Sequence, residues 1–215
     1  MTVGVKAVIF DLDGVILNTA HYHYLAWKRI LNGYGIEFSE EENEQIKGVA
    51  RYKSLEILLE IKNMTMSEVE KMRVLRQKNN WYLEYVMDID LEDLLPGVLN
   101  LLERLKSQGI KTGIASTSDN TSLILELTGL RKYFNAVVDG HKVKLPKPNP
   151  QVYEVIAIAL NTSPADCLVF EDSKAGVLSA KRAGMKVVAV SDHQILEADH
   201  WLRSLKDVSL DILDL

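Results

Sequence analysis

Two aspartates, Asp11 and Asp13, stand one residue apart directly after the apolar run Ala7-Val8-Ile9-Phe10 and before Gly14. Such a run reads as a buried strand, in which positions i and i+2 project to one face, so both carboxylates leave the strand end together. Like charges that close raise each other's pKa and need a cation or a shared proton beside them. A hard divalent cation that takes oxygen ligands meets that need.

The elements that must position this pair are legible from pattern. Besides "VKAVIF", the runs "IKTGIAS" (110–116), "NAVVD" (135–139), "CLVFED" (167–172) and "KVVAVS" (186–191) are short, apolar and rich in β-formers. Separated by helix-length segments, they suit a parallel sheet covered on both faces, so the expected class is α/β with a Rossmann-like core. Pro96-Gly97 opens a helical segment that Gly109 closes, and Ser118 and Asp119 can cap the next. Two more amphipathic segments follow Pro148 and Asp172-Ser173.

Residues from about 19 to 91 instead carry helical periodicity and no convincing strand. Three or four helices are expected there, broken by Gly33-Tyr34-Gly35, Gly48 and Asn63. The predicted organisation is a core of residues 1–17 and 92–215 with an all-helical cap of residues 18–91 inserted after the first strand. Such a block lies over the carboxyl end of the sheet, where open α/β sheets bind ligands. The tail after Ser191 reads as a final short helix and strand packed on the core.

Composition narrows the function classes. The 215 residues are 47% apolar and 26% charged, with a net charge of −5 and no run of Lys or Arg. That argues against nucleic-acid or anionic-membrane partners and leaves a small molecule bound by local basic residues. The one cysteine, Cys167, lies in an apolar run and reads as a buried structural thiol. The N-terminal stretch does not read as a signal peptide, and no apolar run is long enough to span a bilayer, so a cytoplasmic protein is expected. No amphipathic stripe is left over that needs a partner, so a monomer is expected.

Four elements now stand in order: "DLDGV" after a strand, a hydroxyl residue ending a second strand in "IAST", a lysine before a helix in "LPKPNP", and the acidic pair of "FEDS" after another strand. Together they resemble the haloacid dehalogenase (HAD) superfamily of phosphoryl-transfer enzymes. The resemblance implies Asp11 as the nucleophile that becomes an aspartyl phosphate and Asp13 as general acid/base. It implies Ser116 and Lys147 as partners of the transferring phosphoryl group, and Mg²⁺ as cofactor. The metal group is Asp11, Asp13 through its main-chain carbonyl, Asp172, and Glu171 acting on metal-bound water or on Lys147.

The helical block resembles the cap of the β-phosphoglucomutase-like branch, through "NTAHYHYLAW" (18–27) and "KGVAR" (47–51) followed by Ser54. That implies Thr19 near the hinge, His23 beside the acid/base and Trp27 on the sugar pocket. Lys47, Gly48 and Val49 reach across to the active site, with Arg51 on the phosphate that is not being transferred. Thr117, Ser118 and Asn120 complete the substrate site. His21 is expected to be a surface residue.

The sequence departs from that pattern at three places. Asp119 stands where a basic residue is common, and an aspartate there repels a phosphate unless it turns away to cap the following helix. Asn18 replaces a common aspartate, and Tyr52-Lys53 replace acidic residues, so that Lys53 is a candidate to restore the charge lost at Asp119. The resemblance implies a mutase that interconverts β-glucose 1-phosphate and glucose 6-phosphate through a sugar bisphosphate. A phosphatase of small sugar phosphates, which Asp119 favours, and a mutase for another sugar 1-phosphate are the alternatives. A non-catalytic scaffold protein would be expected to lack the nucleophile, the metal ligand or the lysine, and all are present.

Overall fold

The computed structural model describes residues 4–206 and 208–214. Six parallel strands form one sheet: β1 (Ala7–Phe10), β2 (Lys111–Ala115), β3 (Ala136–Val138), β4 (Cys167–Glu171), β5 (Lys186–Val190) and β6 (His200–Leu202), in the order β3-β2-β1-β4-β5-β6. Because β1 pairs with both β2 and β4, the first strand is central, and its carboxyl end opens at the switch point where the winding reverses. The first strand is two residues shorter than its sequence run, since Val5 and Lys6 precede the ladder.

The alternation of β1 divides the core. Val8 and Phe10 join a cluster with Val98, Leu101, Leu102 and Leu105 of α5 (Val98–Ser107) and Ile124 of α6 (Thr121–Leu127). Ala7 and Ile9 face the other way, onto Val152 and Ile156 of α7 (Gln151–Ala159) and Val177 and Ala180 of α8 (Lys174–Arg182). All four β1 side chains are fully buried, which is why the run carries no polar alternation. At Gly97, φ is 93° and a Cβ would strike the backbone of Leu205, so only glycine admits α5 there.

Between β1 and α5 lie four helices and no named strand: α1 (Thr19–Asn32), α2 (Glu40–Glu44), α3 (Arg51–Ile61) and α4 (Glu68–Val86). Ser39 with Glu42 and Ser67 with Glu70 form capping boxes that start α2 and α4. These helices bury their own apolar cluster, including Trp27, Ile30, Leu55, Leu58 and Val74. Tyr82 and Val86 of α4 instead join the core cluster of the sheet, so the helical layer is seated on the sheet's carboxyl edge at one end.

The tail adds β6 beside β5 and a one-turn 3₁₀ helix at Leu210–Asp214. Cys167 is buried, as its apolar context implies, and His21 is exposed. Among the described residues, no helix is long and apolar enough to cross a membrane.

Candidate active site

The loops after β1, β2 and β4 bring together residues that are distant in sequence. Asp11 follows β1, Ser116 follows β2 and Asp172 follows β4, all at one edge of the sheet. Lys147, on the loop before α7, inserts between them at 1% exposure and donates to Asp11 Oδ1 over 2.6 Å and to Glu171 Oε1. Ser116 is buried, and its Oγ accepts from the Ser118 N–H at 3.1 Å.

Glu171 is saturated by the protein. Its Oε1 also accepts from the Tyr153 hydroxyl at 2.9 Å, and its Oε2 accepts from the Asp172 N–H (2.9 Å), the Ser173 N–H (3.0 Å) and the Ser173 hydroxyl (3.0 Å). Burial alone would raise its pKa, but Lys147 and these donors reverse the sign and hold it below the ordinary value. For Lys147, burial works against the charge, and Asp11 and Glu171 more than offset it, so the ammonium is held well above its usual pKa.

A cation has a place beside this network. Oxygens of Asp11, Glu171 and Asp172 lie within 4.8 Å of one another. Asp172 Oδ2 is buried and has no hydrogen-bond partner among the described residues, with Lys47 Nζ 3.1 Å away as its ion-pair neighbour. A Cβ at Gly14, where φ is 85°, would collide with that carboxylate. Burial pushes Asp11 well above its ordinary pKa and Asp172 up to about 7, despite Lys147 and Lys47. Unmet carboxylate charge of this kind fits a hard cation such as Mg²⁺. With five donors on its two oxygens, Glu171 is placed to hold Lys147 and the loop after β4, in keeping with the expected action on Lys147 or on metal-bound water.

Asp13 belongs to the other wall. Its Oδ1 accepts from the Thr19 hydroxyl at 2.5 Å and lies 3.5 Å from both the Tyr82 hydroxyl and His23 Nε2. Burial would raise its pKa, yet His23, Thr19 and Lys78 together pull it below the ordinary value, so Asp13 is a carboxylate here. His23 stacks on Tyr82 at 4.0 Å, and its Nδ1 lies 2.6 Å from Lys78 Nζ. Lysine donating to Nδ1 leaves the imidazole proton on Nε2, facing Asp13. Lys78 is 2% exposed, and burial pushes its pKa down to about 7.

A cavity of about 470 Å³ runs between the helical layer and the strand-end loops. Asp11, Asp13, His23, Trp27, Lys47, Gly48, Val49, Arg51, Ser116, Thr117, Ser118 and Asn120 all line it, as do Asp119 and Asn79. Thr19 does not; fully buried, it stands behind Asp13. Ser54 reaches the cavity, but its hydroxyl is spent on the carbonyls of Val49 and Ala50, tying down the loop that carries Arg51. Trp27, 3% exposed, is both cavity wall and part of the helical cluster.

Two expectations around Asp119 are corrected. Asp119 does not cap α6, whose N-cap residue is Asn120 and which has no side-chain cap; its Oδ2 instead accepts from Arg51. Lys53 does not compensate, because its ammonium pairs with Glu56 at 3.2 Å on an exposed helix face. Lys78, Asn79, Tyr82 and Tyr153 are site residues that sequence reading missed. A signal existed for Lys78: it falls on the buried stripe of α4 with Val74, Leu75, Tyr82 and Val86, where an unpaired lysine is costly.

A buried cluster of carboxylates and a lysine at the switch point of a parallel sheet is thus the arrangement present, and the sequence matches the family model of haloacid dehalogenase-like hydrolases over residues 8–190. The chain belongs to the haloacid dehalogenase-like hydrolase family. Within it, the chain is 41% identical over 211 residues to the beta-phosphoglucomutase of Bacillus subtilis (strain 168), covering 97% of this chain and 93% of that protein. The crystal structure of beta-phosphoglucomutase from Clostridium difficile superposes with a TM-score of 0.92 at 36% identity, covering 97% and 95% of the two chains. A phosphorylated carbohydrates phosphatase of Thermotoga maritima is 36% identical over 184 residues, covering 84% and 82%.

Proposed function

We propose that the protein is a Mg²⁺-dependent phosphosugar mutase that interconverts β-glucose 1-phosphate and glucose 6-phosphate, with residues 18–91 as a cap over a core of residues 1–17 and 92–215. The observation that carries this reading is the assembly around Asp13: a core carboxylate held by Thr19 and Tyr82 and faced by the His23–Lys78 pair, all borne on helices of the cap. The acid/base is thereby completed by the layer that closes the cavity from water, which favours transfer to a sugar hydroxyl over hydrolysis.

Asp11 and Asp172 would hold Mg²⁺, with the main-chain carbonyl of Asp13; when bound, the ion screens the approach of the carboxylate to a phosphate and steadies charge on the transferring oxygens. In the first half-reaction a carboxylate oxygen of Asp11 forms a bond to phosphorus as the bond from phosphorus to the sugar oxygen breaks, and Asp13 in its protonated form supplies the proton to that oxygen. In the second, Asp13 as carboxylate takes the proton from an acceptor hydroxyl as that oxygen bonds to phosphorus and the Asp11–phosphorus bond breaks. The depressed pKa of Asp13 suits this accepting form. Lys147 and Ser116 neutralise and hydrogen-bond the phosphoryl oxygens, while Glu171 keeps Lys147 aimed.

The product of the first transfer to a sugar phosphate is β-glucose 1,6-bisphosphate, which turns around so that its other phosphate meets Asp11. Arg51, Ser118 and Asn120 receive the phosphate not in transfer, with Lys47 and the Gly48-Val49 loop completing the wall. The whole site comes from one chain, so the reading needs no partner subunit. A phosphatase of small sugar phosphates is the second reading, and one observation favours it: Arg51 is already engaged by Asp119.

The test is a paired assay on β-glucose 1-phosphate with Mg²⁺ and catalytic β-glucose 1,6-bisphosphate, following glucose 6-phosphate and free phosphate together. Glucose 6-phosphate formation outrunning phosphate release, and lost on chelation of the metal, is the expected result. Phosphate release alone assigns the phosphatase, and neither product directs the search to other sugar phosphates.

A further inference from the structure

Arg51 and Asp119 line one cavity from opposite walls, the arginine at the start of α3 and the aspartate on the loop before α6. The guanidinium donates to Asp119 Oδ2 across that gap. The two side chains are 26% and 40% exposed, so this is a wet, exchangeable ion pair rather than a structural one. The carboxylate is nevertheless held on its own wall. The Gly140 N–H donates to the Ser118 carbonyl at 3.1 Å, and a Cβ at Gly140 would strike Asp119 Oδ1, so the aspartate is packed against bare backbone.

The neighbouring donors are engaged in the same way. Asn120 Nδ2 donates to Asn79 Oδ1 at 2.9 Å, and the Ser118 N–H is taken by Ser116. A second phosphate arriving here has to displace a carboxylate from Arg51 and then remain beside it. A sugar hydroxyl meets the opposite situation, because Asp119 and Asn79 present acceptor oxygens to it. Arg76 and Lys144 also line the cavity, so the effect falls on preference and does not exclude a phosphate.

We infer that Asp119 is a resident anion on Arg51 that biases the site toward ligands carrying one phosphate, the one at Asp11, and hydroxyls at the far end. This rests on the phosphosugar reading of the site, and deepens it by making residue 119 a determinant of which acceptor is phosphorylated. Neutral sugars become competent acceptors, and the preference for a sugar phosphate as acceptor is set low by one side chain.

The measurement uses the full-length protein with Mg²⁺ and acetyl phosphate as phosphoryl donor, offering glucose and glucose 6-phosphate as competing acceptors. Removing one charge beside a dianion at this partly wet site is worth about tenfold, so Asp119→Asn should shift the kcat/KM ratio about tenfold toward glucose 6-phosphate. In parallel, calorimetry on Asp11→Asn protein, which cannot turn over, should give a dissociation constant for glucose 1,6-bisphosphate about tenfold lower once Asp119→Asn is added. Asp119→Ser repeats both measurements with a smaller side chain. An acceptor ratio and a bisphosphate affinity both within about twofold of the parent proteins, well short of that shift, overturn the proposal. Should the wild type transfer only to water, the mutase reading fails by itself, and the calorimetric arm alone decides the role of Asp119.

Discussion

The strand-end loops and the cap wall face the same cavity but are built on opposite terms. Around Lys147, Asp11 and Glu171 the contacts are buried, and Glu171 alone accepts from five donors. On the helical side, Arg51 sits part-exposed on Asp119, a partner that a ligand can replace. Overdetermined geometry fixes a reaction, because a nucleophile must be held close to its attack position. Exchangeable pairs select a substrate, because their partners can be traded for the ligand's own groups. The exceptions on those helices are the His23–Lys78 pair and the buried Thr19 and Tyr82, which together surround Asp13.

The contrast can be broken or sharpened by substitution. Asp11→Asn should reduce turnover by about 10⁴-fold or more while the fold stays intact. Burial raises the folded-state pKa of Asp11, so its charged form costs stability at neutral pH, and the metal-free variant should unfold at the same or a higher temperature than wild type. A strongly destabilised variant would mean that the charge supports the core.

Glu171→Gln comes next. An amide has one oxygen where the site supplies donors to two, so its NH₂ must face either Lys147 and Tyr153 or the Asp172 and Ser173 donors. Turnover should fall about 10²-fold or more, with about 3 kcal/mol lost in chemical denaturation, the cost of breaking a buried ion pair. A loss of activity without loss of stability would show that the network is not the rigid unit described.

Lys78→Met separates the two terms within the cap. Turnover should drop about tenfold or more as His23 loses the donor that fixes its tautomer, yet the protein should become more stable at pH 7. The sign follows from the folded-state pKa of about 7 against the ordinary 10.5: between these values the unfolded chain holds more protons, so the contribution of Lys78 to stability rises with pH. Denaturation at pH 7 and pH 9 should show a gain for wild type that the variant lacks. Lys53→Ala is the smallest change, with KM for sugar phosphate held within about twofold, as for a solvated helix-face charge.

Much of this was legible beforehand because the core obeys local rules. Five apolar runs gave five strands, and the carboxylates, Ser116 and Lys147 lie on loops whose residue types are dictated by charge chemistry. A strand is expected in the tail but without a position: His200–Leu202 is three residues with no apolar run, and its docking on β5 fixes where the strand lies. At Asp119 the reading failed for a related reason: a capping aspartate and a bridging one are alike in local sequence, and only the approach of α3 from another part of the chain decides between them. Tyr153 and Ser173 look like ordinary helix-start residues until the carboxylate they serve is seen between them.

The pairing of β1 with β4 turns the sheet into a ruler. Phe10 lies opposite Phe170, so the residues that leave these strands emerge side by side, separated by the hydrogen-bond spacing of neighbouring strands, about 4.8 Å. That interval is a property of the polypeptide backbone and no side chain can retune it. The spacing between the backbones of Asp11 and Glu171 is therefore calibrated by the peptide group itself, with Asp172 one residue further on, and sequence change is left free to act elsewhere, on what the calibrated gap is offered.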